Sequence, residues 1–260
     1  MTILDKINED KRILVASQKQ EISISELEKS SFFAQPVNSL SLSLIQPQSS
    51  GIIAEFKRKS PSKGIINDQV LVEEVTHSYV QNGAAGLSVL TDNPYFGGSF
   101  EDFEKARRAN PGIPMLRKDF MVDEYQIIQA KSMGADVILL IAASLNPKEI
   151  KIFSELARSL GMEVLLEVHD KEELERSLMD SITIVGVNNR NLKNFAEQNV
   201  EASKELSELI PDKFIKISES CISGKEIIKE LRGYNYTGFL VGESFMKTSN
   251  PGKALKEFIS

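Results

Sequence analysis

The sequence predicts an α/β fold: a (β/α)8 TIM barrel preceded by an N-terminal helical extension. Three observations carry that reading. Apolar, β-branched segments begin near residues 51, 86, 114, 136, 163, 183, 214 and 237. Stretches at helical spacing lie between most of them, such as "DEYQIIQAKSMG" and "NPKEIKIFSELARSLG". No G-x-G-x-x-G follows the first strand, as an open doubly wound sheet would ordinarily show. Strand–helix alternation at roughly 25-residue spacing implies parallel strands joined by helical crossovers. Eight such units within about 210 residues suit a closed barrel better than an open sheet.

Residues 1–47 stand apart as the extension. Ile3, Ile7 and Leu14 recur at helical spacing, with charges between them. A second helix start is visible at Ser25-Glu26-Leu27-Glu28, where a serine three residues before a glutamate offers reciprocal caps for two free N–H groups. "SLSLSL", residues 39–44, alternates with period two and reads as a strand, or equally as an irregular connection. The barrel, residues 48–260, opens with "IIAEFKRKSPSKG", residues 52–64, whose first half is a buried strand. "GLSVLTD", "IPMLRKDF", "ADVILLIAA", "MEVLLEVHD", "ITIVGVNNR", "FIKISES" and "GFLVGES" supply the other strands. Gly83, Gly134, Gly161 and Gly233 close helices, where the left-handed position past the last turn favours glycine.

Composition narrows the function classes. Of 260 residues, 26% are charged and 41% hydrophobic, an ordinary globular balance. The net charge of −6 disfavours nucleic acid as a partner. No apolar run approaches the length of a membrane span, and "MTILDKINEDKR" carries charge too early for a secretory signal. The lone Cys221 has no internal disulfide partner, so a reducing, cytoplasmic setting is expected. A monomer is expected as well, with an oligomer as the alternative.

In a parallel barrel, alternate residues point to the axis and to the helices. On the first strand Ile52, Ala54 and Phe56 face the helices, while Ile53, Glu55 and Lys57 face the axis. The two charges therefore sit at the C-terminal rim, where barrels of this kind place their chemistry. The same parity turns Lys118 inward after Leu116, and Glu167 inward after Leu165. It turns Ile184, Gly186 and Asn188 inward, with Arg190 continuing beyond the strand. In "FIKISES" it is read as turning Lys216, Ser218 and Ser220 inward. The fourth strand stays apolar to its end through Val137, Leu139 and Ile141. One lysine at a strand end is ordinarily a solvated terminus. Four charged side chains at inward rim positions of three strands argue together for an acid–base site open to an anionic, partly aromatic ligand. His169 and Asp119 are read as turned outward, and His77 as surface.

Several of these stretches are similar to one family. "IIAEFKRKSPSKG", "LSVLTDNPYFGGSF", "PMLRKDF", "LLEVHD", "VGVNNRNL", "ISES" and "FLVGESFMK" resemble indole-3-glycerol phosphate synthase, in the family's order, and "ILDKINEDKR" resembles its extra N-terminal segment. The resemblance implies decarboxylating ring closure of 1-(2-carboxyphenylamino)-1-deoxyribulose 5-phosphate, with no metal or organic cofactor. It implies Lys118 as general acid, Glu167 as general base and Glu55 as a second catalytic carboxylate. Lys57 would pair with substrate carboxylate or phosphate, and Asn188 and Ser220 complete the catalytic set. Ser60, Phe96, Phe120, Ile141, Arg190 and Glu219 would contact substrate. Lys57, Cys221, Gly242 and Glu243 would hold the phosphate, largely through backbone N–H groups. Two departures stand out. Cys221 occupies a position where the family usually has glycine, and Glu243 one where some members have serine; its side chain is expected to turn away from the phosphate.

Overall fold

The computed structural model describes residues 2–190 and 199–260; Asn191 and Leu192 of the "NNRNL" stretch lie outside the described residues. Eight parallel strands close on themselves: β1 (Ile52–Phe56), β2 (Gly86–Leu90), β3 (Met115–Lys118), β4 (Val137–Ile141), β5 (Glu163–Val168), β6 (Ile184–Asn188), β7 (Ile215–Glu219) and β8 (Gly238–Val241). Neighbours around the ring follow chain order, and β1 pairs with both β2 and β8. The described helices are α1 (Ile3–Glu21), α2 (Ile24–Leu27), α3 (Leu40–Ile45), α4 (Val72–Gln81), α5 (Asn93–Phe96), α6 (Phe100–Ala109) and α7 (Glu124–Ser132), then α8 (Pro147–Ser159), α9 (Lys171–Ser177), α10 (Glu201–Ser207), α11 (Lys225–Arg232), α12 (Glu243–Met246) and α13 (Pro251–Ile259). None of them is long and apolar enough to cross a membrane.

Strand parity sorts the core into two layers. Ile53, Leu116, Val137, Leu139, Leu165, Ile184, Ile217 and Leu240 fill the barrel interior. Ile52, Ala54, Phe56, Val89, Ile138, Leu140, Val185 and Val187 pack beneath the helices. Strand β7 departs from the expected parity. Ile217 and Glu219 face the axis, while Lys216 and Ser218 face the helices. The outward polar groups are satisfied there: Lys216 Nζ donates to Ser207 O at 2.9 Å, and Ser218 Oγ bonds Ser203 Oγ at 2.8 Å. Polarity on this strand therefore does not mark the axis.

The extension runs from the C-terminal rim to the barrel floor. Lys11 on α1 is buried and bonds Asp92 and Asp119, each at 2.8 Å. Further along, Asn38 N–H donates to Asp136 and Ser39 Oγ to Glu163, at 2.7 and 2.6 Å. The "SLSLSL" stretch then forms helix α3, not a strand. Ser39 caps it by accepting the Leu42 N–H, and Leu40 and Leu44, four residues apart, bury one face. They seat against Gly86 and Gly238 at the strand starts, where a Cβ would lie 2.6 and 3.1 Å from a leucine methyl. The capping box of α2 sits two residues earlier than the sequence suggested. Ser23 and Glu26 exchange the bonds, at 2.8 and 3.3 Å. Gly83, Gly134 and Gly161 take positive φ, but Gly233 stays right-handed at −64° and Asn235 makes the turn at +63°.

Candidate active site

At the C-terminal rim, inward side chains from several strands meet. Lys118 Nζ, at the end of β3, lies 2.8 Å from Glu167 Oε2 on β5 and 2.8 Å from Glu219 Oε2 on β7. Asn188 on β6 donates to the other oxygen of Glu167 at 3.0 Å. On β1, Glu55 accepts from Lys57 Nζ at 2.6 Å and from Ser88 Oγ at 3.4 Å. Two glycines make room for these carboxylates. A Cβ on Gly186 would lie 2.3 Å from Glu219 Oε1, and one on Gly242 would lie 2.7 Å from Glu55 Oε1. A glycine inside a strand often marks such a close approach, a signal available in the sequence and unused there.

Charge and burial set the protonation states. Burial would strip Lys118 of its proton, but Glu167, Glu219 and Glu55 hold its pKa above the ordinary lysine value. Burial alone would raise Glu167; Lys118 and His169 override it and hold the carboxyl at about 2. Glu55 is likewise held low against burial, by Lys57 and Lys118. Glu219 goes the other way. Burial, with Glu167 nearby, outweighs Lys118 and raises it to about 7. Its Oε1 is buried with no hydrogen-bond partner among the described residues. The two carboxylates share one ammonium, so they titrate as a pair in which Glu219 keeps the proton more readily.

His169 is not turned away. It has the same parity as Glu167, and its Nε2 lies 3.7 Å from Glu167 Oε1 while Nδ1 meets Glu173 at 3.1 Å. Burial opposes its protonation, but Glu173 and Glu167 raise its pKa. Asp119 does face outward, into a buried network with Lys11, Arg117 and Thr91.

An apolar wall flanks the charges. Phe96, at the end of α5, and Phe120, just past β3, pack as a tilted pair, with ring centroids 5.9 Å apart and planes at 37°, and Ile141 belongs to the interior cluster against which Phe120 packs. Ser60 is buried in a small hairpin after β1 (Lys59–Ser60 with Gly64–Ile65), and its Oγ has no partner among the described residues. Past β7, Ser220 and Cys221 both adopt left-handed φ, +64° and +59°. Ser220 therefore belongs to a turn rather than to the inward face of the strand. Across the mouth, Glu243 lies 3.8 Å from Lys63 and 3.9 Å from Arg190. Its side chain faces these two cations. A cavity of ≈ 420 Å³ opens at the opposite end of the barrel beside Lys216, Asp212 and Tyr234. Its one lysine is tied to Ser207 O and Asp212.

The profile of the indole-3-glycerol phosphate synthase family matches residues 4–258. The chain belongs to the indole-3-glycerol phosphate synthase family. Relatives of that name include one from Bacteroides thetaiotaomicron, 46% identical over 99% of this chain and 97% of its own length. Others come from Burkholderia ambifaria and Bordetella pertussis, each 40% identical, covering 97% and 99% of this chain and 97% and 99% of their own lengths. Among solved structures, a tryptophan synthase alpha-subunit mutant from Pyrococcus furiosus aligns with TM-score 0.62 at 16% identity, over 81% of this chain and 98% of that one. KGPDC from Streptococcus mutans aligns with TM-score 0.61 at 15% identity, over 80% and 94%. These two likenesses concern the barrel fold alone.

Proposed function

We propose that this rim divides indole-3-glycerol phosphate synthesis among its side chains as follows. The enzyme is a carboxy-lyase of tryptophan biosynthesis that closes 1-(2-carboxyphenylamino)-1-deoxy-D-ribulose 5-phosphate into indole-3-glycerol phosphate, with release of carbon dioxide and water. The ring carbon attacks the C2′ carbonyl, and the oxygen becomes an alkoxide. Lys118 gives that oxygen a proton. Its raised pKa suits this step, because an alkoxide is more basic than an amine whereas the ground-state carbonyl is not. Carbon dioxide then leaves, and its bonding electrons return to the ring. Loss of the hydroxyl as water needs one proton delivered and one removed. Glu167, ionised and braced by Asn188, is the base, and Glu55 with Lys57 is the second acid–base pair.

Phe96, Phe120 and Ile141 wall the aromatic ring. Lys57 and Arg190 meet the anionic ends of the substrate, and Ser60 and Glu219 make polar contacts. The phosphate lies against the backbone of Ser220, Cys221, Gly242 and Glu243. Residues 1–47 form the extension and 48–260 the catalytic barrel, working as a cytoplasmic monomer.

The observation that carries these roles is the single ammonium of Lys118 bonded at 2.8 Å to carboxylates from two other strands. Its test is Lys118→Met, which keeps length and loses charge. Turnover of the carboxyphenylamino substrate, read by indole fluorescence in a chain without tryptophan, falls by about 10²–10⁴-fold with little change in KM. Near-normal turnover would remove Lys118 from the acid role.

A further inference from the structure

Asn189 is among the most fully bonded side chains near the mouth, and the chemistry above gives it no part. It sits one residue past β6 and is buried. Its Nδ2 donates to Ser218 Oγ at 2.9 Å, to Glu219 O at 3.0 Å and to Ser220 O at 3.4 Å. Its Oδ1 accepts from the N–H and the hydroxyl of Ser203 on α10, at 3.1 and 2.9 Å. Its own backbone N–H donates to Glu219 O at 2.9 Å. A carboxamide has two N–H bonds and one oxygen with two lone pairs, and all are engaged.

These bonds end on the carbonyls around one peculiar place. Ser220 and Cys221 are consecutive non-glycine residues at φ +64° and +59°. Side-chain-bearing residues persist in that region only where their surroundings over-determine it. Here Glu219 O accepts twice from Asn189, Ser220 O accepts once, and Cys221 Sγ approaches Asn189 O at 3.8 Å. The residue before Asn189 serves the chemistry, since Asn188 holds Glu167. The pair of asparagines thus points two ways, one amide to the base and one to the turn.

We propose that Asn189 is a positioning residue for the phosphate end of the site: it clamps Ser220 and Cys221 in the left-handed turn that presents their N–H groups to the substrate phosphate. This rests on the reading that the phosphate lies at that turn. Aspartate at 189 would keep the shape and the Oδ1 acceptor while losing the Nδ2 donors. It would also set a negative charge against the carbonyls of Glu219 and Ser220.

The test uses 15N-labelled full-length protein titrated with inorganic phosphate, beside steady-state kinetics. In the wild type the Ser220 and Cys221 amide signals shift and saturate. In Asn189→Asp, saturation needs about tenfold more phosphate and KM rises about tenfold, the scale of one or two lost hydrogen bonds, while kcat stays within about threefold. Adding Cys221→Gly, which accepts positive φ freely, recovers part of that loss. Should Asn189→Asp fail to fold, Ser203→Ala loosens the same amide more gently and raises KM about threefold. Wild-type amides that shift, with a variant that binds phosphate and substrate as before, would overturn the proposal. So would a fall in kcat at constant KM, or a lower melting temperature with both constants intact. Wild-type amides that never shift would sink the phosphate assignment itself, and the proposal with it.

Discussion

Glu219 and Glu167 share one ammonium yet respond oppositely to pH. Glu219 is raised by burial and by Glu167 to about 7, from an ordinary 4.5. A raised carboxyl pKa means that the folded state holds the proton more tightly. Its stabilisation is complete below the unfolded value and is lost as pH rises through the folded one, here from 4.5 to about 7. Glu167, lowered to about 2 against burial, stabilises the fold above 4.5 and loses that contribution as pH falls. Glu219→Gln therefore flattens the decline on the upper side, a slope of up to about 1.4 kcal/mol per pH unit, and leaves the acid side sloped. Urea midpoints taken across both windows check this; an unchanged upper slope means that Glu219 is ionised throughout. Cys221 supplies a second residue-scale prediction. A left-handed non-glycine residue costs about 1–2 kcal/mol, and glycine gives back about 0.5–1 in chain entropy. Cys221→Gly thus raises the melting temperature by about 1–3 °C, as calorimetry would show. The inward charges of β1, β3 and β5 were legible from alternation alone. Glu219 was not: its strand interleaves polar residues on both faces, and family resemblance rather than parity singled it out.

Elements were legible wherever one periodicity dominated, so the barrel strands begin within about a residue of their expected starts. Short stretches with two compatible periods misled. In "SLSLSL" the alternation of serine and leucine fits a strand, yet Leu40 and Leu44 also lie on one helical face. The tie is broken by partners remote in sequence: the barrel floor offers Gly86 and Gly238 as seats, and Ser39 is held by Glu163. Leu40 is almost wholly buried there. Leu40→Ala leaves a cavity under the barrel and costs about 2–4 kcal/mol in urea unfolding, while kcat is unchanged because the reacting end is at the other rim. A loss below about 1 kcal/mol would mean that α3 only rests on the floor.

At the scale of the whole molecule, one buried cation joins the extension to the aromatic wall. Lys11 and its partners Asp92 and Asp119 are each at most 5% exposed. Asp92 caps α5, which ends in Phe96, by accepting the Tyr95 N–H at 2.9 Å. Asp119 follows Lys118 and accepts the Phe120 N–H at 2.9 Å. The ammonium therefore fixes both loops that carry the paired rings, from outside the barrel. Helical spacing in the sequence leaves Lys11 unmarked among the charges between Ile7 and Leu14; its partners lie roughly 80 to 110 residues away, beyond any local pattern. Removing it leaves two carboxylates buried with less charge to balance them, although Arg117 still serves Asp119 at 3.0 Å. Lys11→Met accordingly costs about 3–5 kcal/mol of stability in urea unfolding. It also raises KM, because Phe96 and Phe120 lose their common brace, while kcat changes less since Lys118 keeps both of its carboxylates. Replacing Asp92 by Asn in the Lys11→Met background removes one orphaned charge and recovers part of the stability. If the single variant loses stability with KM unmoved, the extension steadies the barrel without shaping its aromatic wall.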